Sequence, residues 1–380
     1  MRIVALGASG HAGRAIVELL APRLRAGDEL VLAGRDATRL GSARDALLGD
    51  TPAVVSTATV DVEDRAAVRA LVTGAGLVIV TVSRPDLVGP LARIVLDAGA
   101  DWIDTMLSVP GKHAELKALA SEIEFRGRRF VTDGGFHPGL PAVLVRWAAG
   151  RLDEIVDADV YAGLRTDWHA DTVADSTVAE MLDEFADFDM VAFVDGTRRR
   201  LRWSECPSVD FGPPIGRQTC VPTALTELDA LPARYPSLRR CGFYISGFGP
   251  AMDYLALPVI MALSKVRLLR RPTIRLTRWS MGRLATSPPP HRLVLRLTAS
   301  GIVDGRPATA EISVSGEDGY RLTAAPLVAC LRQLREAASG GAAPGLHLLA
   351  HVVDPEPFLD DLVALGLEVF REVSTGSSAR

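Results

Sequence analysis

The sequence predicts an α/β protein, with a doubly wound parallel sheet at its N-terminus and a second, α+β domain built on a largely antiparallel sheet. Two observations carry the first half. Short apolar runs alternate with helical patterns through the first 135 residues, which calls for parallel βαβ units with right-handed crossovers. Gly7, Gly10 and Gly13 stand where the first of those runs turns into the first helix. The second half rests on a change of pattern: beyond Gly135, strand-like segments follow one another without regular intervening helices. At 380 residues the chain suits two domains, taking roughly 150 residues as a usual domain size.

The elements follow in order. RIVALG is a short buried strand, and AGRAIVELLAPRL carries apolar residues at helical spacing. ELVLAGR is the second strand, DATRLGSARDALL the second helix, AVVSTATVD the third strand and EDRAAVRALVTGA the third helix. LVIVTVS, LVGPLARIVLDAGA, DWIDTM, KHAELKALASEIEFRG and RFVTDGG continue the alternation through a sixth strand. PGLPAVLVRWAAGRL then reads as a helix, VDADVYAGL as a strand and STVAEMLDEFADF as a helical stretch, ahead of a proline-rich segment through ECPSVDFGPPIG. CGFYISGFG, RLVLRLTASGIV and ATAEISVSG are strands, and the last two flank DGRP as an antiparallel hairpin. PLVACLRQLREAA is a late helix. A Gly/Ala/Pro loop, a C-terminal strand-and-helix segment and a disordered tail, STGSSAR, complete the chain.

Hydrophobic residues make up 48% and charged residues 23%, as in a globular protein with a sizeable core. The net charge of −4 shows no overall basic excess, so neither nucleic acid nor a membrane is expected as a partner. Cys206, Cys220, Cys241 and Cys330 are scattered, with no C-x-x-C pair and no histidine at ligand spacing. No metal site or disulfide framework is expected, and a reducing cytoplasm fits. Apolar runs such as GLVIVTV from Gly76 fall far short of the roughly 18 residues a membrane span needs. The first twenty residues are not read as a signal peptide, because glycines cut the apolar run and no small-residue cleavage site follows. Lysine occurs only at Lys112, Lys117 and Lys265, so a mechanism that needs a lysine amine has three candidates.

Gly7-x-x-Gly10-x-x-Gly13 follows a strand and opens a helix. In dinucleotide-binding folds the first glycine makes the turn, the second admits the pyrophosphate to the backbone, and the third permits close helix–strand packing. The helix N-terminus adds N–H groups and a partial positive charge. A Rossmann sheet holding a nicotinamide dinucleotide is therefore expected. NAD sites place an acid at the end of the second strand, about 20 residues past the glycines; this chain has Ala33-Gly34-Arg35-Asp36. Gly34 removes the repulsion and the forked Arg35 guanidinium suits a 2′-phosphate, so the expected cofactor is NADP. In the competing reading Asp36 is the acid and Arg35 belongs to the next helix. Ser9 adds a hydroxyl to the cradle, and His11, within the loop, reads as a surface residue. Asp61 closes the third strand where an adenine would rest, or is a plain loop aspartate. Ser83 and Arg84 follow the fourth strand, at the carboxyl edge where ligands of doubly wound sheets collect. Ser83 is placed near the nicotinamide ribose, and Arg84 meets a substrate carboxylate or lies on the surface.

VTDGGFHPGLP ends the sixth strand, turns over Gly134-Gly135 and starts a helix, so His137 sits where the first domain hands over to the second. A histidine there suits a general acid or a carboxylate ligand, or makes a structural helix cap; Asp133 is placed to position it. Asp104 and Thr105 end the fifth strand at the same edge, Asp104 as a second catalytic candidate or a turn cap. Thr105 and Phe136 join Arg84 as candidate substrate contacts. Trp168, His169, Tyr244 and Asp253 are weaker candidates for the wall of the second domain.

Together, GASGHAG, LVLAGRD, DWIDTM and DGGFHPGLP resemble the saccharopine dehydrogenase-like family, whose N-terminal domain is an NADP-binding Rossmann domain. That family includes saccharopine reductases and carboxynorspermidine dehydrogenase-like enzymes. LTELDALPARYP with CGFYISGFG, the stretch SGIVDGRPATAEISVSGEDGYRLTAAPLVACLRQL, and APGLHLLAHVVDPEPFLDDLVALGLEV are similar to its later parts. The resemblance implies that Gly7, Gly10, Gly13, Arg35 and Ser83 hold the cofactor. It also implies that a late helix near 326–338 packs back on a Rossmann domain of residues 1–136, with 137–380 as substrate and dimerisation domain. Many relatives carry Asp-Pro-Gly where this chain has His137-Pro138-Gly139. The activity implied is an NADP(H)-dependent oxidoreductase, a cytoplasmic homodimer moving a hydride at a C=N or C–NH carbon of an amino-acid-like or polyamine-like small molecule. Reduction of a C=C or C=O bond in an acyl or specialised-metabolite substrate, and non-catalytic NADP sensing, are the alternatives.

Overall fold

The computed structural model of the chain describes residues 1–168, 178–179, 181–182, 189–249, 251–336 and 342–375. The chain divides into two units: Met1–Leu140 with Tyr320–Leu365, and Pro141–Gly319 with Gly366–Arg380.

In the first unit β1 (Arg2–Leu6), β2 (Glu29–Gly34), β3 (Val54–Thr59), β4 (Leu77–Val80), β5 (Asp101–Asp104) and β6 (Arg129–Thr132) alternate with helices. These are α1 (His11–Leu20), α2 (Ala37–Leu47), α3 (Arg65–Val72), α4 (Val88–Asp97) and α5 (Pro110–Phe125); α6 (Leu140–Ala149) follows β6 and belongs, from Pro141 on, to the second unit. The expected six strands and the helices between them are all present. β4 is apolar and buried at every position, as a parallel strand covered on both faces must be. Val4, Leu6, Val78, Val80, Trp102 and Phe130 contribute to the core on one side of the sheet. A seventh strand, Gly345–Leu348, lies parallel to β6, so the sheet order is Gly345–Leu348, β6, β5, β4, β1, β2, β3. The order reverses between β1 and β4, which makes their carboxyl ends a topological switch point.

In the second unit β7 (Glu154–Arg165) lies at the centre of a nine-stranded mixed sheet. β8 (Val191–Val194), β9 (Thr197–Arg200), β10 (Ser208–Asp210), β11 (Arg217–Pro222), β12 (Arg240–Ser246), β13 (Arg292–Val303), β14 (Arg306–Gly316) and Glu368–Thr375 supply the rest. β12 runs parallel to β7, and the other pairings are antiparallel. The β13–β14 hairpin turns at Asp304-Gly305, both with positive φ (50° and 72°), the two-residue geometry that matches strand twist. Helices Leu257–Ser264 and Arg270–Ser280, between β12 and β13, have no counterpart in the sequence reading. The late helix spans Gly319–Glu336 with Pro326 inside it; the reading from sequence started it at that proline, a residue suited to a first turn. STVAEMLDEFADF, His169, the expected helix end at 337–338 and the tail from 376 fall wholly or largely outside the described residues.

Candidate functional site

The glycine loop is built around close approaches that exclude side chains. Gly7 has φ of 90°, and a Cβ there would lie 2.6 Å from Thr81 Oγ1. A Cβ on Gly13 would lie 2.2 Å from the Gly7 carbonyl oxygen, inside van der Waals contact. The Gly7 and Ala8 amides donate to Ala33 O at 2.8 and 3.1 Å, which ties the loop to the end of β2. Gly10 caps α1 with no side-chain hydrogen bond, and the first turn of α1 holds no acid. By contrast α2 is capped by Asp36 and α3 by Asp64. The start of α1 thus presents backbone N–H groups and a positive dipole end with no side chain competing for them, which fits a pyrophosphate.

At the end of β2 a Cβ on Gly34 would lie 2.7 Å from Ser9 Oγ. The Ser9 hydroxyl therefore occupies the space where an acidic side chain would begin. Asp36 Oδ1 accepts the Arg39 amide at 3.0 Å, so this carboxylate serves the helix, while Arg35 is exposed. Asp61 is exposed and its Oδ1 accepts the Glu63 amide at 3.0 Å in a local turn. His11 is exposed and stacks on Tyr320 with ring centroids 4.9 Å apart.

Loops from successive strands line one edge of the sheet. Asp61, Arg35, the glycine loop, Ser83, Thr105 and the Gly134–His137 turn follow β3, β2, β1, β4, β5 and β6, in the order of those strands across the sheet. From β2 to β6 there are four strand spacings of about 4.8 Å, roughly 19 Å in all, a span an extended dinucleotide covers. Ser83, Arg84 and Thr105 are half-buried. The Arg84 guanidinium donates to Asp86 at 2.7 and 2.8 Å and to Glu63 at 2.5 Å. Those carboxylates raise its pKa and compensate its charge, so a substrate carboxylate would have to displace them.

Behind the edge lies a fully buried charge cluster. Lys112 Nζ donates to Asp133 Oδ1 at 2.5 Å, to Met106 O at 2.8 Å and to Asp104 Oδ1 at 3.2 Å, and all three charged side chains are inaccessible to solvent. Asp104 also accepts from Trp102 Nε1 at 2.7 Å and from the Met106 amide at 3.1 Å. Asp133, in the left-handed region at φ 59°, accepts from Ser108 Oγ at 2.8 Å and lies 3.1 Å from His113 Nε2. Burial alone would push the Lys112 amine down, but Asp104 and Asp133 override it and hold the ammonium above its ordinary value. Burial likewise pushes Asp133 up, and Lys112 with His113 overrides it, holding the carboxyl well below the usual range. Asp104 is thus a fully engaged carboxylate anchoring the loop after β5.

Reading the sequence placed Asp104 and Asp133 at this edge but did not join them to Lys112, Ser108 and His113. The signal was available: Lys112 is in phase with the buried Leu116, Leu119 and Ile123 of α5, and a lysine in an apolar stripe needs a buried acid.

The turn carrying His137 is wound tightly on this cluster. Gly134 N donates to Asp104 O and Gly135 N to Pro138 O, both at 2.9 Å. Gly139, at φ 134°, leaves no room for a Cβ, which would lie 2.4 Å from Gly135 O. Phe136 is buried and meets the half-buried His137 ring edge-on at 5.4 Å. Burial pulls the His137 imidazole down from 6.5 to about 4, so it is neutral at neutral pH.

In the second unit Tyr244 is buried and stacks on Tyr161 at 5.3 Å, and burial raises its phenol to about 12. Trp168 packs edge-on against Phe248, and Asp253 accepts the Phe248 and Gly249 amides at 2.9 and 3.1 Å. These contacts are structural. Among the described residues no cluster of His, Cys, Asp and Glu is arranged to hold a metal, and no helix is long and apolar enough to cross a membrane.

Residues 3–129 match the family described as saccharopine dehydrogenase NADP binding domain. The whole chain is similar to apo saccharopine dehydrogenase (L-Glu forming) from Saccharomyces cerevisiae, with TM-score 0.68 and 14% identity over 99% of this chain and 100% of that one. It also aligns with the C. glutamicum DAP dehydrogenase in complex with DAP, at TM-score 0.48 and 16% identity over 96% and 98% of the two chains. An engineered D-amino acid dehydrogenase bound to NADP+ gives TM-score 0.47 and 17% identity over 96% and 98%. No functionally curated protein matches the chain. The likeness to the yeast enzyme is one of fold, and the match at 3–129 identifies the first unit as an NADP-binding domain.

Proposed function

We propose that this chain, a saccharopine dehydrogenase-like protein with an N-terminal NADP-binding domain, is an NADP(H)-dependent oxidoreductase acting on a C=N or C–NH carbon of an amino-acid-like or polyamine-like molecule. The observation that carries the reading is the sheet edge itself: a glycine cradle without a competing cap and a neutral histidine follow strands of the same parallel sheet. Gly7, Gly10 and Gly13 with the start of α1 hold the pyrophosphate, Arg35 the 2′-phosphate and Ser83 the nicotinamide ribose. When bound, NADPH supplies the hydride. Thr105, Phe136 and His137 face the substrate, and the Asp104–Lys112–Asp133 cluster holds the loops that carry them. His137 is assigned as the acid–base group from its place on the turn after β6; its lowered pKa does not by itself suit that role, so bound substrate or cofactor must bring it nearer the working pH. A cytoplasmic homodimer is part of this reading.

NADPH fluorescence titration followed by consumption assays tests it. The expected outcome is tight NADPH binding and turnover with imines or with 2-oxo acids plus amines. Turnover confined to enoyl thioesters would assign C=C reduction instead, and tight binding without turnover on any of these would favour an NADP sensor.

A further inference from the structure

We propose that the second unit carries a binding site for a small uncharged molecule, an aromatic or aliphatic body with one hydrogen-bonding group, independent of the redox reading above. The site is a cavity of about 430 Å³, within the roughly 300–1,000 Å³ usual for small-molecule pockets. The residues that line it belong to the second unit. Its walls come from β8, β12 and the stretch that begins at Thr223 and runs into the short helix Leu231–Arg234.

Strand pairing leaves the space. β11 pairs with β12 from Tyr244 to Ser246, whereas β8 meets β12 at one position, Cys241 opposite Phe193. Between those contacts the chain after β11 closes on β12 through the Thr223 amide, which donates to Phe243 O at 2.9 Å. Side chains of a strand alternate between faces, so Val191 and Phe193 share the face of Cys241 and Phe243. Ala192 and Tyr244 join a core cluster on the other face. Leu225, Leu228, Cys241 and Phe243 are buried along the cavity wall.

Two features select the ligand. Thr223 lines the cavity, and its Oγ1 is buried without a hydrogen-bond partner among the described residues. A buried hydroxyl left unpaired is destabilising, and it can both donate and accept, so either a donor or an acceptor on the ligand would satisfy it. The lining also holds one cation and one anion, and these compensate each other: Arg198 Nη1 donates to Asp229 Oδ1 at 3.0 Å, with both side chains more than half exposed. An ion entering the cavity would have to break that pair and would find no free counter-charge, which leaves a neutral molecule. The apolar wall then supplies affinity, and the hydroxyl fixes orientation.

Equilibrium dialysis of the full chain against 2-naphthol, naphthalene and 2-naphthoate tests the proposal. Saturable binding of 2-naphthol is expected, tighter than that of naphthalene or of the charged 2-naphthoate. Thr223→Val keeps the shape of the side chain and removes the hydroxyl. It should weaken 2-naphthol roughly three- to tenfold and leave naphthalene unchanged. Without ligand the same variant should melt at or above the wild-type midpoint, because the unpaired hydroxyl is gone. Ala233→Trp, at an exposed position on the lining, should fill the mouth and abolish binding, with far-UV circular dichroism unchanged. The proposal is overturned by no saturable binding of 2-naphthol, by wild-type affinity for it in Thr223→Val, or by a lowered melting midpoint in that variant. Tighter binding of 2-naphthoate than of 2-naphthol, or undiminished binding in a folded Ala233→Trp, would overturn it as well.

Discussion

Arg35 and Asp36 divide two roles that the sequence left open. Asp36 is used by its helix, through the Arg39 amide, and Arg35 stands exposed at the end of β2. If Arg35 meets the 2′-phosphate, Arg35→Ala removes charge-assisted hydrogen bonds of about 1.5–3 kcal/mol, weakening NADPH roughly 10- to 150-fold and leaving NADH unchanged; an equal loss for both cofactors would sink the assignment. His137→Ala should lower kcat by about 10²–10⁴ with little change in NADPH affinity. The same imidazole makes stability depend on pH. Its folded pKa of about 4 lies below the ordinary 6.5, so between those values the unfolded chain takes up a proton the folded chain refuses. The contribution is fully present above pH 6.5 and falls as pH drops toward 4, by up to about 1.4 kcal/mol per pH unit. Urea midpoints from pH 7 to 4 should therefore fall more steeply in wild type than in His137→Gln, and parallel curves would show that the ring is not desolvated in the folded state. Lys112 gives the largest expected effect. Lys112→Met leaves Asp104 and Asp133 buried without their cation, a loss of about 3–5 kcal/mol readable by chemical denaturation; a loss below about 1 kcal/mol would show that the cluster is not closed.

The elements legible in sequence are those whose periodicity and turn chemistry agree. The βαβ series from β1 to β6 and the hairpin at Asp304-Gly305 are of this kind, because buried apolar strands and a two-residue turn leave few alternatives. The start of α1 is another: two of its three glycines, Gly7 and Gly13, are explained by close approaches that leave no room for a Cβ. Gly13→Ala should cost about 1–3 kcal/mol through overpacking against Gly7 O and abolish measurable NADPH binding, a result that isothermal titration and a thermal melt would separate from unfolding. α5 shows where periodicity was under-read. Its stripe Lys112, Leu116, Leu119, Ile123 has the spacing of a buried face, and only the charged first member conceals it.

For the whole molecule, the first unit is closed by the far end of the chain. Gly345–Leu348 pairs with β6, and Arg335 reaches Asp28 at 2.7 Å beside the N-terminal ammonium at 2.9 Å. Burial would raise the Asp28 carboxyl, but the Arg25 amide, Arg335 and the ammonium lower it to about 2. Residues 1–140 alone should accordingly lack a cooperative melt, whereas 1–140 joined to 320–365 by a short linker should melt cooperatively and bind NADPH; a cooperative, NADPH-binding 1–140 fragment would refute this.

The sequence by itself determined the parallel sheet, the glycine turn into α1 and the lack of an acid at Gly34, because strand periodicity, a glycine turn and a missing acid are local signals. Only the tertiary structure decided what long-range contacts control. It set the seventh strand beside β6, closed Lys112 between two carboxylates from different strands, and desolvated His137. Local periodicity reports what a segment prefers, whereas burial, pairing and pKa depend on neighbours distant in sequence, and those neighbours are known only once the chain is folded.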